Sequence, residues 1–267
     1  MRLPFAVALT LSAGPVFSDQ ITPEALSILP RADVVLLGEV HDNPLHHAHQ
    51  AAAVSAISPT AVVFEMLTPE QAARVTPELR GDEARLAEAL EWNTSGWPDF
   101  SMYYPIFAAT DAPIYGAALS REDVRRAFSD GAAAVFGAEA ERYGLTDPLP
   151  EEMQAERQKM QFDAHCEAMP LGMMSGMVEA QRLRDAAFSR AVIEAHEATG
   201  GPIAVITGNG HARMDWGMPS VLAKAAPDFE TLSIGQLETA PEAAPPYDLW
   251  LVTEPALRDD PCAGLLQ

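Results

Sequence analysis

Residues 34–44 read VVLLGEVHDNP, an apolar run that ends in glycine, glutamate and histidine. A second segment has the same form, because residues 203–213 read IAVITGNGHAR. In each, a short continuous apolar run, typical of a strand buried on both faces, leads directly into a turn that carries a histidine. Open α/β sheets hold their ligand sites at the carboxyl ends of their strands. The two turns are therefore predicted to meet in one crevice.

Further strands and helices alternate along the chain. The other predicted strands are short apolar runs bounded by turn residues, at 61–65, 114–117, 230–234 and 249–253. Helices are predicted between them at 44–57, 68–76, 83–91, 104–110 and 122–136. This alternation predicts an α/β fold with a mostly parallel central sheet flanked by helices.

A long helical segment interrupts the alternation. Pro170 and Gly172 divide it into two antiparallel helices, predicted at 151–168 and 173–199. We expect these helices, with the preceding one, to form a helical cap of about residues 120–199 inserted between strands of the sheet. The Pro-rich stretch at 241–267 reads as a C-terminal extension that contains a final short strand.

The composition and the N-terminal sequence indicate which partners the protein can bind and in which compartment it works. The chain has 267 residues and a formal net charge of −21, which argues against nucleic acid because phosphate binding needs clustered Lys and Arg. Arg2 followed by an apolar stretch to Val16 predicts a signal peptide over residues 1–18, cleaved before Asp19. No cysteine lies near that junction to accept a lipid. We therefore expect a soluble, exported, periplasmic protein without a lipid anchor.

Export affects how the two cysteines are interpreted. In an oxidising compartment, Cys166 and Cys262 could form a disulfide. Alternatively, they are two thiols, one buried in a helix and one in a loose tail. The sequence leaves both alternatives open.

Four polar residues fall at the predicted strand ends: Glu39, His41, Glu65 and His211. Two imidazoles and a carboxylate, here His41, Glu65 and His211, can bind a divalent metal ion and leave positions open for water or substrate. A carboxylate that does not bind the metal ion could then act as a general base. Alternatively, the glutamates cap helices or pair with Arg213, and the imidazoles donate to backbone carbonyls.

Two other groups of side chains are candidate ligands. His46, His47 and His49 lie on the helix after the first turn, where exposed histidines are also common. Near the break between the cap helices, four methionines lie beside His165 and Cys166 in the sequence, namely Met169, Met173, Met174 and Met177. Methionine, histidine, cysteine and tyrosine are the usual haem ligands, but methionines also fill the cores of helical hairpins.

Several motifs together resemble the ChaN-like proteins, bacterial haem-binding proteins of the haem-uptake and Tiki superfamily. The matching segments are Gly38–Pro44 with His46 and His47, Val63–Met66, Ser95–Pro105 and Gly208–Arg213. The resemblance implies an erythromycin-esterase/ChaN-like α/β domain over about residues 19–240. It also implies haem as the cofactor and a homodimer on haem binding.

The same resemblance suggests which residues bind the cofactor. Tyr103 and His165 are the leading iron ligands, and Met169, His41, His211 and Arg213 are further candidates at the haem site. The implied function is periplasmic haem binding in iron uptake, with a haem receptor or transporter as partner.

Two other functions remain open at this stage. The wider superfamily includes metal-dependent hydrolases, esterases or peptidases, whose chemistry would fall to Glu39, His41, Glu65 and His211. A non-catalytic interaction protein draws support only from the acidic surface and the Pro-rich tail. Of the three, we expect haem binding and no enzymatic activity.

Overall fold

The structure is a computed structural model that describes residues 18–260 and 262–263 of the chain. The expected signal peptide lies outside the described residues except for Ser18. In the described residues, seven strands, numbered β1 to β7 in chain order, are Asp19–Gln20, Val34–Glu39, Ala61–Phe64, Ile114–Gly116, Ile203–Gly208, Thr231–Leu237 and Leu249–Val252. They form one sheet in the order β1-β7-β6-β2-β5-β3-β4, and all neighbours are parallel.

Helices cover both faces of this sheet. The α-helices of the described residues, α1 to α11, are Pro44–Ile57, Pro69–Ala72, Pro77–Arg80, Glu83–Ala89, Phe100–Ala108, Arg121–Asp130, Ala132–Phe136, Glu151–Ala164, Met174–Thr199, Asn209–Ala212 and Met218–Ala225. Short 3-10 helices are Pro23–Ile28, Trp92–Thr94 and Leu171–Met173. None of these helices is long and apolar enough to cross a membrane.

Strand β2 shows why the apolar runs are continuous rather than alternating. Val34 and Leu36 pack into the core under α9 and α11, whereas Val35 and Leu37 pack into the core under α1 and α5. All four side chains are buried. A strand covered on both faces needs apolar residues at every position, so the prediction of a mostly parallel, two-sided sheet is confirmed.

Two predicted helices differ from the observed ones because local backbone conformation and capping set where a helix begins and ends. The segment predicted as one helix at 122–136 is two helices, because Gly131 adopts a φ of +87° between α6 and α7. Helix α5 begins at Phe100, earlier than predicted, because the Asp99 side chain accepts from the backbone N–H of Ser101 and caps it. Helix α1 has the predicted bounds, Pro44–Ile57.

Helices α6 to α9 are inserted between β4 and β5, where the helical cap was expected. Helix α9, the longest, packs on β3, β4 and β5 as well as on the other three inserted helices. It therefore covers one face of the sheet and also carries side chains to its carboxyl edge.

The C-terminal segment returns to the sheet and then crosses to the inserted helices. Strand β7 pairs with β6 and with β1. Beyond it, Arg258 forms salt bridges with Asp42 and Glu238. Cys262 is joined to Cys166, after α8, by a disulfide with 5.5 Å between the Cα atoms. Of the two alternatives that the sequence left open, the structure has the disulfide.

The contact between α6 and α9 depends on Gly176. A Cβ atom there would lie 2.7 Å from the backbone oxygen of Phe128, too close for α6 to stay in place. We expect Gly176→Ala to lower the free energy of unfolding by about 1–3 kcal/mol, as overpacking does. Urea denaturation followed by circular dichroism would measure the loss. Gly172→Ala is the matched control, because no atom lies within 4 Å of its added Cβ; equal stability of both variants would contradict this packing.

Candidate functional site

The carboxyl edge of the sheet gathers the polar residues of both histidine turns. In the register of β2 and β5, Glu39 lies opposite Gly208. Glu65 follows directly after the neighbouring strand β3. Because the strands are parallel, His41 after β2 and His211 after β5 lie at this same edge, and both imidazoles face Glu65. The predicted convergence of the two turns is confirmed.

Glu39 is the buried centre of one half of the site. Its Oε1 accepts a hydrogen bond from the Tyr103 hydroxyl at 2.8 Å and contacts Nδ1 of His41 at 2.7 Å. Its Oε2 lies 3.3 Å from Nδ1 of His47. Burial alone would raise the pKa of Glu39, but the two imidazoles outweigh it and lower the pKa to about 2. Glu39 is therefore an ionised carboxylate with three polar neighbours.

His41 is held by Glu39 and faces the open side of the site. Its side chain is 35% exposed, and its Nε2 lies 3.9 Å from Oε1 of Glu65. Burial opposes protonation, but Glu39 and Glu65 raise the pKa of His41 to about 9. The ring packs beside Trp97, with 4.9 Å between the ring centroids. Gly208 leaves room for the imidazole, because a Cβ there would lie 2.8 Å from Nε2.

Glu65 is fixed between the two imidazoles. Its Oε2 accepts from the Thr207 hydroxyl and from the backbone N–H of Gly208, both at 2.7 Å. Its Oε1 lies 3.6 Å from Nε2 of His211. Burial raises the pKa of this carboxyl, but His211 and His41 outweigh burial and the pKa is lowered. These contacts hold a negative charge at the floor of the site.

His211 has its own carboxylate partner, contributed by α9. Nδ1 of His211 contacts Oδ1 of Asp185 at 2.6 Å, and Nε2 lies 3.2 Å from the Gln181 amide nitrogen. Burial would lower the pKa of His211, but Glu65 and Asp185 raise it. Behind the pair, Nη2 of Arg157 lies 3.8 Å from Oδ2 of Asp185. Each imidazole on the floor is thus oriented by a buried carboxylate at Nδ1.

A cleft of about 1210 Å³ opens above this floor, larger than a typical small-molecule pocket. Its apolar lining includes Trp97, Leu119, Val124 and Phe188. Its lining also includes three imidazoles and three guanidinium groups, those of His41, His165, His211, Arg121, Arg125 and Arg184. Nδ1 of His165 lies 2.7 Å from the carbonyl oxygen of Gln161. Nε2 of the same ring has no hydrogen-bond partner among the described residues. The cleft therefore combines apolar surface with positive charge.

The sequence prediction placed a metal ion at His41, Glu65 and His211. The three side chains do converge. Oε1 of Glu65 lies 3.6 Å from Nε2 of His211 and 3.9 Å from Nε2 of His41. Across residues 18–260 and 262–263, no group of three or more His, Cys, Asp or Glu side chains is arranged to hold a metal ion.

Three of the predicted cofactor-binding residues do not line the cleft. Tyr103 is fully buried below Glu39, and burial followed by the Glu39 charge raises the pKa of its phenol. Met169 is partly buried and is not among the residues that line the cleft. Arg213 pairs with Asp215 and stacks on Trp216, with its guanidinium carbon 3.5 Å from the ring centroid. Of the predicted set, His41, His165 and His211 lie on the cleft.

Two of the three histidines of α1 contact the backbone of the first turn. Nδ1 of His46 accepts from the Val40 N–H at 2.9 Å, and burial lowers the pKa of His46 to about 4. Nε2 of His47 contacts the carbonyl of His41 at 2.8 Å. His49 contacts the Gln236 side chain at 2.9 Å. The contacts of His46 and His47 thus hold the backbone that leads to His41, whereas His49 contacts β6.

Sequence reasoning gave no role to several residues of the cleft. On α9, Gln181, Arg184 and Asp185 share one helical face, since they lie three and four residues apart. That polar face, within a helix whose other positions are mostly apolar, was a usable signal. Arg125 gave no comparable signal, because an exposed arginine on a helix is ordinary.

The chain is similar to a known protein family and to several solved structures. A family model described as haem-binding uptake, Tiki superfamily, ChaN matches residues 25–222. A search of curated proteins finds no match. Among solved structures, cofacial haem binding to ChaN of Campylobacter jejuni is similar, with a TM-score of 0.59, 18% identity, and coverage of 85% of this chain and 88% of that one.

A second solved structure, the type III effector HopBA1, matches less closely. Its TM-score is 0.45 at 12% identity, over 87% of this chain and 92% of that one. A succinoglycan biosynthesis protein matches with a TM-score of 0.37 at 13% identity, over 81% and 68% of the two chains. Neither likeness bears on the activity of this chain.

The hydrogen bond from Tyr103 to Glu39 can be tested by stability. Tyr103→Phe removes a buried donor to a charged acceptor, so we expect the free energy of unfolding to fall by about 1.5–3 kcal/mol. Tyr104→Phe is the matched control, because the Tyr104 hydroxyl donates to the neutral carbonyl of Arg80 at 2.9 Å. Its loss should be about 0.5–1.5 kcal/mol. Urea denaturation of both variants would measure the two losses of unfolding free energy. A larger loss in Tyr104→Phe than in Tyr103→Phe would contradict a charged acceptor for the Tyr103 hydroxyl.

Proposed function

The chain belongs to the ChaN family of the Tiki superfamily, and on this premise we propose that it binds haem in the cleft at the carboxyl edge of its sheet. The family description itself names haem-binding uptake. The relative from Campylobacter jejuni is described as binding haem cofacially.

One observation carries the proposal: three imidazoles face one cleft with Nδ1 already engaged. His41 uses Nδ1 for Glu39, His211 for Asp185, and His165 for a backbone carbonyl. Metal-binding histidines generally donate their second ring nitrogen to a carboxylate or carbonyl in this way, which orients the ring and leaves Nε2 for the metal. When bound, haem would supply an iron centre that imidazole nitrogens can ligate.

Among these three, His165 is the leading candidate for the iron ligand. It lies on the cleft, partly exposed, and its Nε2 has no hydrogen-bond partner in the described residues. Nε2 of His211 is close to both Gln181 and Glu65, so it is less free. Tyr103, the other leading candidate from the sequence, could reach iron only if it left its buried hydrogen bond to Glu39.

The apolar part of the cleft fits the faces of a porphyrin. Trp97 lies next to His41 on one side, and Leu119, Val124 and Phe188 add further apolar surface. Sites for flat cofactors combine such surfaces with a few polar groups that fix orientation. The residues present therefore fit haem.

The biological role that we propose is haem handling outside the cytoplasm, in iron uptake. Arg2 and the apolar stretch to Val16 support export. A homodimer that forms on haem binding, which the family resemblance implies, is part of this proposal. A haem receptor or transporter would then be the exchange partner.

The metal-dependent hydrolase is the weaker alternative. The family match favours haem, and the described residues contain no suitable group of metal ligands. We therefore do not assign a catalytic role to Glu39, His41, Glu65 or His211.

Haem titration tests the proposal directly. Adding hemin to the mature protein should shift the Soret band until it saturates at a defined ratio. His165→Ala should weaken the affinity by at least about tenfold, equivalent to about 1.4 kcal/mol, because an iron–nitrogen bond is lost.

His196→Ala is the matched control, because His196 packs on Phe229 away from the cleft. Its titration should equal that of the wild type. A wild-type titration that never saturates would refute haem binding. A phenolate charge-transfer band that disappears in Tyr103→Phe would instead assign the iron to tyrosine.

Export can be checked by the mass of the mature protein. Cleavage between Ser18 and Asp19 would leave β1 intact, including the hydrogen bond from the Asp19 nitrogen to the carbonyl of Asp248. We expect periplasmic protein to have the intact mass of an unlipidated chain that begins at Asp19. Recovery of the uncleaved chain from the cytoplasm would contradict this expectation.

A further inference from the structure

Three arginines of the cleft form no salt bridge within the described residues. The chain has 38 acidic and 17 basic residues, so basic side chains have many possible partners. Arg121, Arg125 and Arg184 all line the cleft, yet the described residues provide no salt bridge to any of them. Arg126, on the same helix as the first two, does pair, with Asp123 at 3.5 Å.

The carboxylates of the cleft are already engaged elsewhere. Glu39 and Glu65 are held at the floor by imidazoles and hydrogen-bond donors. Glu91, at the rim, pairs with Arg74 at 3.2 Å. None of them forms a salt bridge with an arginine of the cleft, although Arg184 is influenced by the charges of Glu65 and Asp185. Arg121 and Arg125 are therefore the guanidinium groups most open to an anionic ligand.

The arginines are placed around the apolar part of the cleft. Arg121 and Arg125 lie one turn apart on α6, which puts them on the same helical face. Nη2 of Arg121 lies 4.0 Å from the position that a Cβ of Gly96 would take, next to Trp97. Arg184 lies on α9. Its Nη1 donates a long hydrogen bond of 3.5 Å to Oε1 of Gln181. Two different helices thus contribute guanidinium groups to one apolar cleft.

We infer that Arg121, Arg125 and Arg184 form the subsite for the ligand's carboxylates, so that the cleft selects flat apolar ligands with an anionic edge. The guanidinium group is suited to this role, because its planar donors match a carboxylate in pairs and it stays charged at all relevant pH values. The inference rests on the proposed function, since haem carries two propionates. It assigns recognition of the porphyrin edge to the arginines and leaves the iron to the imidazoles.

The experiment compares porphyrins with and without free carboxylates. Iron-free protoporphyrin and its dimethyl ester are titrated by fluorescence quenching, which separates edge recognition from iron binding. Hemin and its dimethyl ester are titrated in parallel at the Soret band. In the wild type, the free acid should bind at least about tenfold more tightly than the ester in both pairs.

The variant R121A/R125A should lose most of this preference while it still binds the esters. Arg126→Ala is the matched control on the same helix and should keep the wild-type ratio. R121K/R125K should recover part of the ratio, because it restores the charge without the planar donors. Thermal unfolding by circular dichroism verifies that each variant is folded.

The outcomes separate this inference from the proposed function. An unchanged acid-to-ester ratio in R121A/R125A would overturn the carboxylate subsite while haem binding stands. An equal loss of acid and ester would also overturn it, since the arginines would then only shape the cleft. If no porphyrin binds the wild type saturably, the proposed function fails and this inference fails with it.

Discussion

The parallel register at the centre of the sheet is the constraint on which the site depends. Because β2, β3 and β5 run in the same direction, their ends deliver Glu39, Glu65 and the turn at Gly208 to one edge. Burying these carboxylates would be unfavourable without partners, since a buried charge needs hydrogen bonds and an opposite charge. The imidazoles of the two turns provide them. Strand pairing and charge pairing are therefore satisfied by the same arrangement.

The buried carboxylates also decide which imidazole nitrogen faces the cleft. Glu39 takes Nδ1 of His41, and Asp185 takes Nδ1 of His211. With that nitrogen engaged, only Nε2 of each ring is directed to Glu65 and the cleft above it. Tyr103 belongs to this support, because its hydroxyl is a donor to Glu39. The site is thus a layer of acceptors below a layer of imidazoles, with apolar and cationic walls above.

Much of this arrangement was predictable from local sequence. Continuous apolar runs identified the strands, and α/β topology identified the edge where Glu39 and His211 meet. The role of Tyr103 was not predictable, because a tyrosine in the Ser95–Pro105 segment is equally suited to bind iron or to support a carboxylate. Its depth below the cleft depends on how α5 packs against α1, which no local pattern encodes.

Periodicity and turn chemistry within short windows were enough to predict the strands, most of the helices, their order and the residues at the strand ends. Which distant groups meet depends instead on how the elements pack. Asp185 reaches His211 because α9 lies across the sheet, and Cys262 reaches Cys166 because the C-terminal segment crosses to α8. The cationic wall likewise arises from two helices, with Arg121 on one and Arg184 on the other. Such pairings are set by helix packing over long sequence separations, where one chain's local preferences are compatible with many arrangements.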